Sequence, residues 1–139
     1  MATNEGLFID AVIVKGTKKT FLTTINQKTE DLTSETFEPL DLDPYSIRLT
    51  VLGSATADAK VLLQKVITQN TDNDTVGRIV DSSNGQFTFT FTAEETVSLG
   101  LGKFPIMLEL VDPETLENQF TLTEGGYKGE FNKIQIVQV

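Results

Sequence analysis

Along most of this chain the apolar residues return at every second position, the spacing that sends alternate side chains to opposite faces of a β-strand. In Gln86-Phe87-Thr88-Phe89-Thr90-Phe91-Thr92 the phenylalanines share one face and the threonines the other. That predicts a strand with one side in a core and one in solvent. Residues 45–51 repeat the pattern with Tyr45, Ile47, Leu49 and Val51 inward. Residues 103–110 place Phe104, Ile106, Leu108 and Leu110 inward, with Lys103, Met107 and Glu109 outward. Pro105 has no amide to offer a ladder, so its nitrogen is expected to face away from a partner strand or to lie beside a bulge.

Further strands are expected over 7–14, 20–25, 61–68, 76–80, 119–123 and 131–139. In the last, the apolar parity slips from Phe131 to Ile134 and Ile136 and then to Val137 and Val139. A bulge near Asn132 or Lys133, or burial on both faces, would produce this slip. Turn chemistry separates the strands: Asp43-Pro44, Leu52-Gly53-Ser54, residues 70–74, Ser83-Asn84-Gly85, Asp112-Pro113 and Gly125-Gly126. Regular short strands with polar turns between them mark a sandwich or small barrel. Residues 55–66 read as helix or strand. Residues 92–99 open with Thr92 and carry Glu95 three positions later, the capping-box spacing, and predict one turn of helix crossing between sheets. Residues 1–20 read as an N-terminal strand or arm. Residues 27–43, the least patterned stretch, are expected to form a long exposed loop.

The length of 139 residues corresponds to a single domain, 1–139. A hydrophobic fraction of 39% is enough for a core that needs no metal or disulfide staple. The chain contains no Cys, no His and no Trp. This removes disulfides, thiolate nucleophiles, the commonest metal ligand and general base, and the best aromatic platform for sugars or stacked bases. The formal net charge of −9 repels phosphate backbones and anionic membrane surfaces, so neither nucleic acid nor membrane is an expected partner. No apolar run approaches the roughly 18 to 20 residues that cross a bilayer. Met1-Ala2-Thr3-Asn4-Glu5 lacks the basic start of a signal peptide, so the protein is expected to be made and used without Sec export.

Without His or Cys, catalysis would rest on carboxylates, a Ser–Lys arrangement, Tyr or a bound metal. The close acidic pairs are Asp41 and Asp43, Asp72 and Asp74, and Glu94 and Glu95. A glycosidase needs two carboxylates facing each other across a cleft with aromatic walls. Here the aromatics sit at core spacing, so the pairs read as solvated charge. Asn70, Asp72, Asn73 and Asp74 form an oxygen-rich loop, but Thr75 stands where a calcium-binding EF-hand loop needs Gly and Asp81 where it needs Glu. A polar hairpin tip is the better reading. Gly100-Leu101-Gly102 has no third glycine at the right offset and leads into a strand, so it reads as a tight turn, not a phosphate cradle. Lys15, Lys18 and Lys19 form the only basic cluster, either a plain turn between strands or a docking patch for an acidic partner. No catalytic, cofactor-binding or metal-ligating residues are expected, and no cofactor.

The order of motifs adds to this. An amphipathic strand over 45–52 is followed by Asp81-x-x-x-Gly85-x-Phe87-x-Phe89-x-Phe91. Then comes Thr92-x-Glu94-x-Thr96-x-x-Leu99-x-x-Gly102-x-Phe104, and last an alternating strand ending at Asp112. This resembles the immunoglobulin-like domains of tailed-bacteriophage virion proteins, in particular the family of upper baseplate protein N-terminal domains. Phe104 stands where immunoglobulin folds carry the corner tyrosine, so only the packing part of that motif transfers. The resemblance covers about 15–111. It implies an all-β, immunoglobulin-like antiparallel β-sandwich with at most one short helical turn. It also implies an architectural virion component of baseplate, tail, neck or capsid, assembled in the host cytoplasm, without catalytic residues to transfer.

The leading functional expectation is therefore a non-catalytic structural protein working by multi-copy protein–protein assembly, as a homo-oligomer or with other virion proteins. The alternative is a receptor- or carbohydrate-binding module, for which Tyr45 and Tyr127 are the only tyrosines and Tyr127, after Gly125-Gly126, the expected exposed one. An acidic metalloenzyme is the least supported class. The candidate assembly surface is Leu7, Phe8, Ile9, Val12, Val14, Lys15, Lys18 and Lys19, because this first strand is more apolar than a solvent-facing edge should be. It is expected to pack one face inward while its edge or opposite face meets a neighbouring subunit. Because the acidic loop departs from its template, micromolar calcium is expected to leave the melting temperature unchanged. A saturable rise of several degrees, abolished by Asp72→Asn and Asp74→Asn, would reverse that assignment.

Overall fold

In the computed structural model the described residues are 2–4, 9–30, 35–53, 60–69, 75–123 and 132–139. Period-two segments become strands close to where the pattern places them: β2 (Asp10–Val14), β3 (Lys19–Thr24), β6 (Ser46–Leu52), β7 (Val61–Ile67), β8 (Gly77–Asp81), β9 (Gln86–Phe91), β10 (Gly102–Val111), β11 (Asn118–Thr121) and β12 (Lys133–Val137). Three further strands are β1 (Ala2–Asn4), β4 (Asn26–Glu30) and β5 (Glu35–Pro39). Among the described residues the one α-helix, α1, spans Ala93–Leu99. Its start is the predicted capping box, in which the Glu95 amide donates to Thr92 Oγ1 at 3.1 Å and the Thr92 amide donates to Glu95 Oε1 at 2.8 Å.

The strands run β2-β12-β10-β6-β7 in one sheet, with β11 beside β10, and β3-β9-β8 in another. In the lettering of the variable-type immunoglobulin fold this is A′-G-F-C-C′ facing B-E-D, with α1 at the turn from E to F. The chain is an all-β sandwich. Its ladders are antiparallel with one exception among the described residues: β2 lies parallel to β12, Ile13 opposite Ile136. The parallel pairing arises because β2 does not fold back on β3 as a hairpin. It crosses to the other sheet, where the Lys15 amide extends the ladder by donating to the Val137 carbonyl at 2.8 Å.

One layer of apolar side chains joins the two sheets. Phe87, Phe89 and Phe91 from β9 meet Ile47, Leu49 and Val51 from β6 and Ile106, Leu108 and Leu110 from β10, with Phe104 half-buried at the margin. Phe21 of β3 stacks on Phe89 with ring centroids 5.0 Å apart, and Phe91 closes the group edge-on to Phe89 at 6.1 Å. β10 carries partners on both edges: β12 against Gly102 to Pro105, β6 against Ile106 to Val111, and β11 against Glu109 to Val111. The Ile106 amide donates to the Asn132 carbonyl on the β12 side. Successive amides alternate edges, so the Pro105 nitrogen faces the β6 side, one residue before that ladder begins.

Two expectations need correction. The stretch 27–43 is not an exposed loop, since β4 and β5 form an antiparallel hairpin to which β1 adds a third strand. The chain beyond it returns to the core, with Leu40 and Leu42 buried while Asp41 and Asp43 face solvent. The hairpin escapes a hydrophobicity pattern because its ladder is carried by the backbone. The second correction is in β12, where the register runs without a bulge from Lys133 to Val137. Ile134 and Ile136 are the inward residues and Val139 is fully in solvent, so no face is switched. Phe131, residues 70–74 and residues 124–130 lie outside the described residues.

Gly85 is the sharpest local requirement. It ends a 3-10 turn at φ +69°, and a Cβ there would lie 2.3 Å from the Ile25 carbonyl oxygen. That contact exists because the Ile25 amide donates to the Gly85 carbonyl at 2.9 Å, clamping the start of the β4–β5 excursion to the β8–β9 turn. Phe89→Ala is expected to cost about 3–5 kcal/mol in urea unfolding, as large core truncations do. Thr88→Ala, which loses a half-buried hydroxyl and the bond it accepts from the Arg78 amide at 3.1 Å, is expected to cost about 1 kcal/mol. Equal losses would mean that the two faces of β9 are not distinguished by the core.

Candidate functional site

The first edge of the sandwich divides the candidate assembly residues. Leu7 and Phe8 lie outside the described residues. Ile9 is half-buried against the core, its amide donating to Asn132 Oδ1 at 2.6 Å, so it belongs to the interior and not to a docking surface. Ile13 is buried, whereas Val12, on the opposite face, is 57% exposed. Val14 is half-buried and Lys15, Lys18 and Lys19 are exposed. β2 is the terminal strand of its sheet and β3 the terminal strand of the other, so among the described residues the outer edge of each is unpaired.

The basic turn between these strands is held to α1. The Gly16 amide donates to Thr96 Oγ1 at 2.8 Å, and the buried Thr96 hydroxyl donates in turn to the Ala93 carbonyl at 2.9 Å. Thr17 closes the turn, its amide and hydroxyl both donating to the Val14 carbonyl. Between turn and helix lies a shallow groove of about 340 Å³ lined by Gly16, Ala93, Glu94, Val97 and Ser98. Val97 at its rim is 52% exposed, and Leu101, just beyond the helix, is 55% exposed.

Two buried charge clusters escaped the sequence reading. Lys65 of β7 points inward between Leu63 and Ile67, where strand parity would put an apolar residue. Its Nζ donates to the Thr75 carbonyl at 2.5 Å, to the Thr90 carbonyl at 2.7 Å and to Glu95 Oε1. It therefore ties β7 to the end of β9 and to the capping box across the open side of the sandwich. Arg48 and Glu109 face each other across the β6–β10 ladder and form a two-pronged pair, with both N···O distances 3.0 Å. Asn118 adds a third bond to Glu109 at 2.5 Å. The Arg48 Nη1 donates to the Leu116 carbonyl at 2.9 Å, holding a leucine whose φ of +60° lies in the left-handed region. An outward parity at Glu109 and Arg48 gave no sign of burial, because the cover comes from a later turn and from the pair itself.

At the opposite end from α1 the turns are acidic. Asp43 accepts from Ser82 Oγ at 2.5 Å, and Asp81 accepts from Asn84 Nδ2 at 2.7 Å and from Ser83 Oγ at 3.1 Å. Asp112 Oδ1 accepts the amides of Glu114 at 2.9 Å and Thr115 at 3.0 Å. The bonds from Asn84 and Ser83 hold the Asp81 carboxyl below its ordinary pKa, and the amides of Thr115 and Glu114 do the same for Asp112. Burial pushes the Glu109 carboxyl up, but the bonds from Arg48 and Asn118 and the Arg48 charge outweigh it, leaving its pKa below the usual value. The bond to Glu109 raises the Arg48 pKa further. Each of these shifts keeps a charge in place, the reverse of what a general acid near neutral pH requires. Among the described residues no group of three or more acidic side chains is disposed to hold a metal ion.

No family model and no curated protein gives a significant match to the chain. Among the described residues no helix is long and apolar enough to cross a membrane.

Because the folded-state pKa of Glu109 is depressed, its stabilising contribution is complete above the unfolded value of about 4.3 and is lost as pH falls through the lower folded value. Glu109→Gln is expected to cost about 2–4 kcal/mol at pH 7, since it leaves Arg48 without its counter-charge. The variant should also show a shallower loss of stability below about pH 4 than the parent chain. Parallel acid limbs in chemical denaturation would contradict this role.

Proposed function

We propose that this protein is a non-catalytic structural component of a tailed-phage particle, working by protein–protein assembly in many copies. The observation that carries the reading is β2. This strand commits Ile13 to the core, yet turns Val12 to solvent at 57% exposure and leaves its outer edge unpaired among the described residues. An edge of that kind recruits other chains unless something blocks it. The lysine turn next to it is fixed to α1 and so offers a rigid, positively charged border. The motif order that resembles upper baseplate protein N-terminal domains supports the virion setting, and the immunoglobulin-like strand order is compatible with it. The chain contains neither His nor Cys, which fits a protein whose work is attachment. The particle's other proteins, or further copies of this chain, are the partners.

A glycan-binding role would call for an exposed aromatic platform. Tyr45 is half-buried and its ring is 6.3 Å from that of Phe120, edge-on, while Tyr127 lies outside the described residues.

The test is particle incorporation. The chain is expected among the proteins of purified tailed-phage particles that carry its gene, and Val12→Glu combined with Lys15→Glu should reduce its copy number several-fold while leaving its melting temperature within a few degrees of the parent. Point changes are preferable to removing residues 1–14, because that deletion would take Ile13 and the β2–β12 ladder with it. Normal copy number of the double variant would rule out this surface, and glycan-array binding without particle incorporation would favour the receptor-binding alternative.

A further inference from the structure

The described charges are divided unevenly between the two ends of the sandwich. β10 runs from one end to the other, and its ten residues separate those ends by about 30 Å. At its start are α1, the β2–β3 turn, the end of β6 and the start of β7, where Lys15, Lys18, Lys19, Lys60 and Lys103 are exposed and Glu94 of α1 is the one exposed carboxylate among the described residues. At its finish are the turns carrying Asp41, Asp43, Asp81, Asp112, Glu114 and Glu117, which hold no Lys or Arg.

Each end also presents apolar surface of complementary form. The lysine end has the groove of about 340 Å³ between Gly16 and α1, with Val97 at its rim. The acidic end has Leu116, 39% exposed and ringed by Asp112, Glu114 and Glu117 in the sequence of its own turn. Leu116 is held in the left-handed backbone region at φ +60°, a conformation that a leucine adopts only against a penalty of about 1–2 kcal/mol. The Arg48 guanidinium clamps its carbonyl, so the side chain is displayed from a rigid turn. Preorganised apolar anchors inside a polar ring are the usual composition of an interface hot spot.

We propose that this chain binds a second copy of itself end to end, Leu116 of one copy entering the groove beside Val97 of the next while the acidic turn meets the lysine turn. The partner is assigned by complementarity: the exposed lysines around the groove outnumber Glu94 on its lining and call for an acidic surface, the apolar part of the lining takes a leucine, and the chain carries both at its far end. The two patches differ and face opposite directions, so the contact is heterologous and propagates into a ring or a filament. This deepens the assembly reading above by naming a second copy as the partner of the lysine end, and it extends the candidate surface to α1 and to the 112–117 turn.

Sedimentation of the purified full chain at low salt is expected to show an average mass that rises with concentration and falls several-fold in association strength at about 0.5 M salt, where charge pairing is screened. Leu116→Asp and Val97→Asp are each expected to weaken association at least about tenfold with circular dichroism unchanged. Aspartate tolerates the left-handed backbone at position 116, so the first variant should fold. Mixed together, the two variants should form a one-to-one dimer and nothing larger, because only the intact groove of one and the intact leucine of the other can meet. A parent chain that stays monomeric at high concentration, variants that associate like the parent, or a mixture that stays monomeric would each overturn the proposal. A monomeric chain that still enters particles would sink the end-to-end contact alone. A chain that self-associates but is absent from particles would sink the virion reading alone.

Discussion

Everything described in this molecule is positioned by one layer of apolar side chains between two sheets. Phe87, Phe89 and Phe91 supply most of one side and β6 and β10 most of the other. With no cysteine to staple the sheets, that layer must set their spacing by packing alone. β10 is the element on which it turns, since it takes partners on both edges and places Ile106, Leu108 and Leu110 opposite the phenylalanines. Pro105 is tolerated in so central a strand because it falls one residue before the β6 ladder begins.

A sandwich has two open flanks, and polar contacts hold them in different ways. On the flank of β7 and β8, Lys65 spans the gap and has three oxygen acceptors, so its burial does not leave an unpaired charge. On the flank of β2 and β3, Gly16 is bound to the buried hydroxyl of Thr96, which makes the lysine turn and α1 a single rigid unit. The Arg48–Glu109 pair does comparable work on the outer face, where it fixes the 112–117 turn and the strained backbone of Leu116. The charged groups whose pKa values are displaced are displaced towards remaining charged, in keeping with surfaces that attract and orient a partner.

What is left over once the core is satisfied is therefore informative about function. Val12, Val97, Leu101 and Leu116 are exposed at edges and ends, while among the described residues the exposed lysines gather at one end, beside Glu94, and the turn carboxylates at the other. A net charge of −9 conceals this uneven division.

The strands with period-two alternation, the capping box of α1, the turn at Gly85 and the inward residues of β6, β9 and β10 were legible in the sequence, because each follows from neighbours two to four positions apart. Period-two alternation reports a buried face whatever the strand's partner is. The parallel union of β2 with β12 was not legible, since pairing depends on where two distant segments travel and not on their local composition. Nor was the β4–β5 hairpin, whose residues carry no alternation and are joined through the backbone. The candidate surface was half legible: the apolar first strand and the lysine cluster stood out, but Ile9 turned inward and the groove beside α1 arose from the Gly16–Thr96 contact between residues 80 apart. Lys65, Arg48 and Glu109 follow the same logic, because the burial of a charge is decided by partners that only the closed sandwich brings within hydrogen-bonding distance.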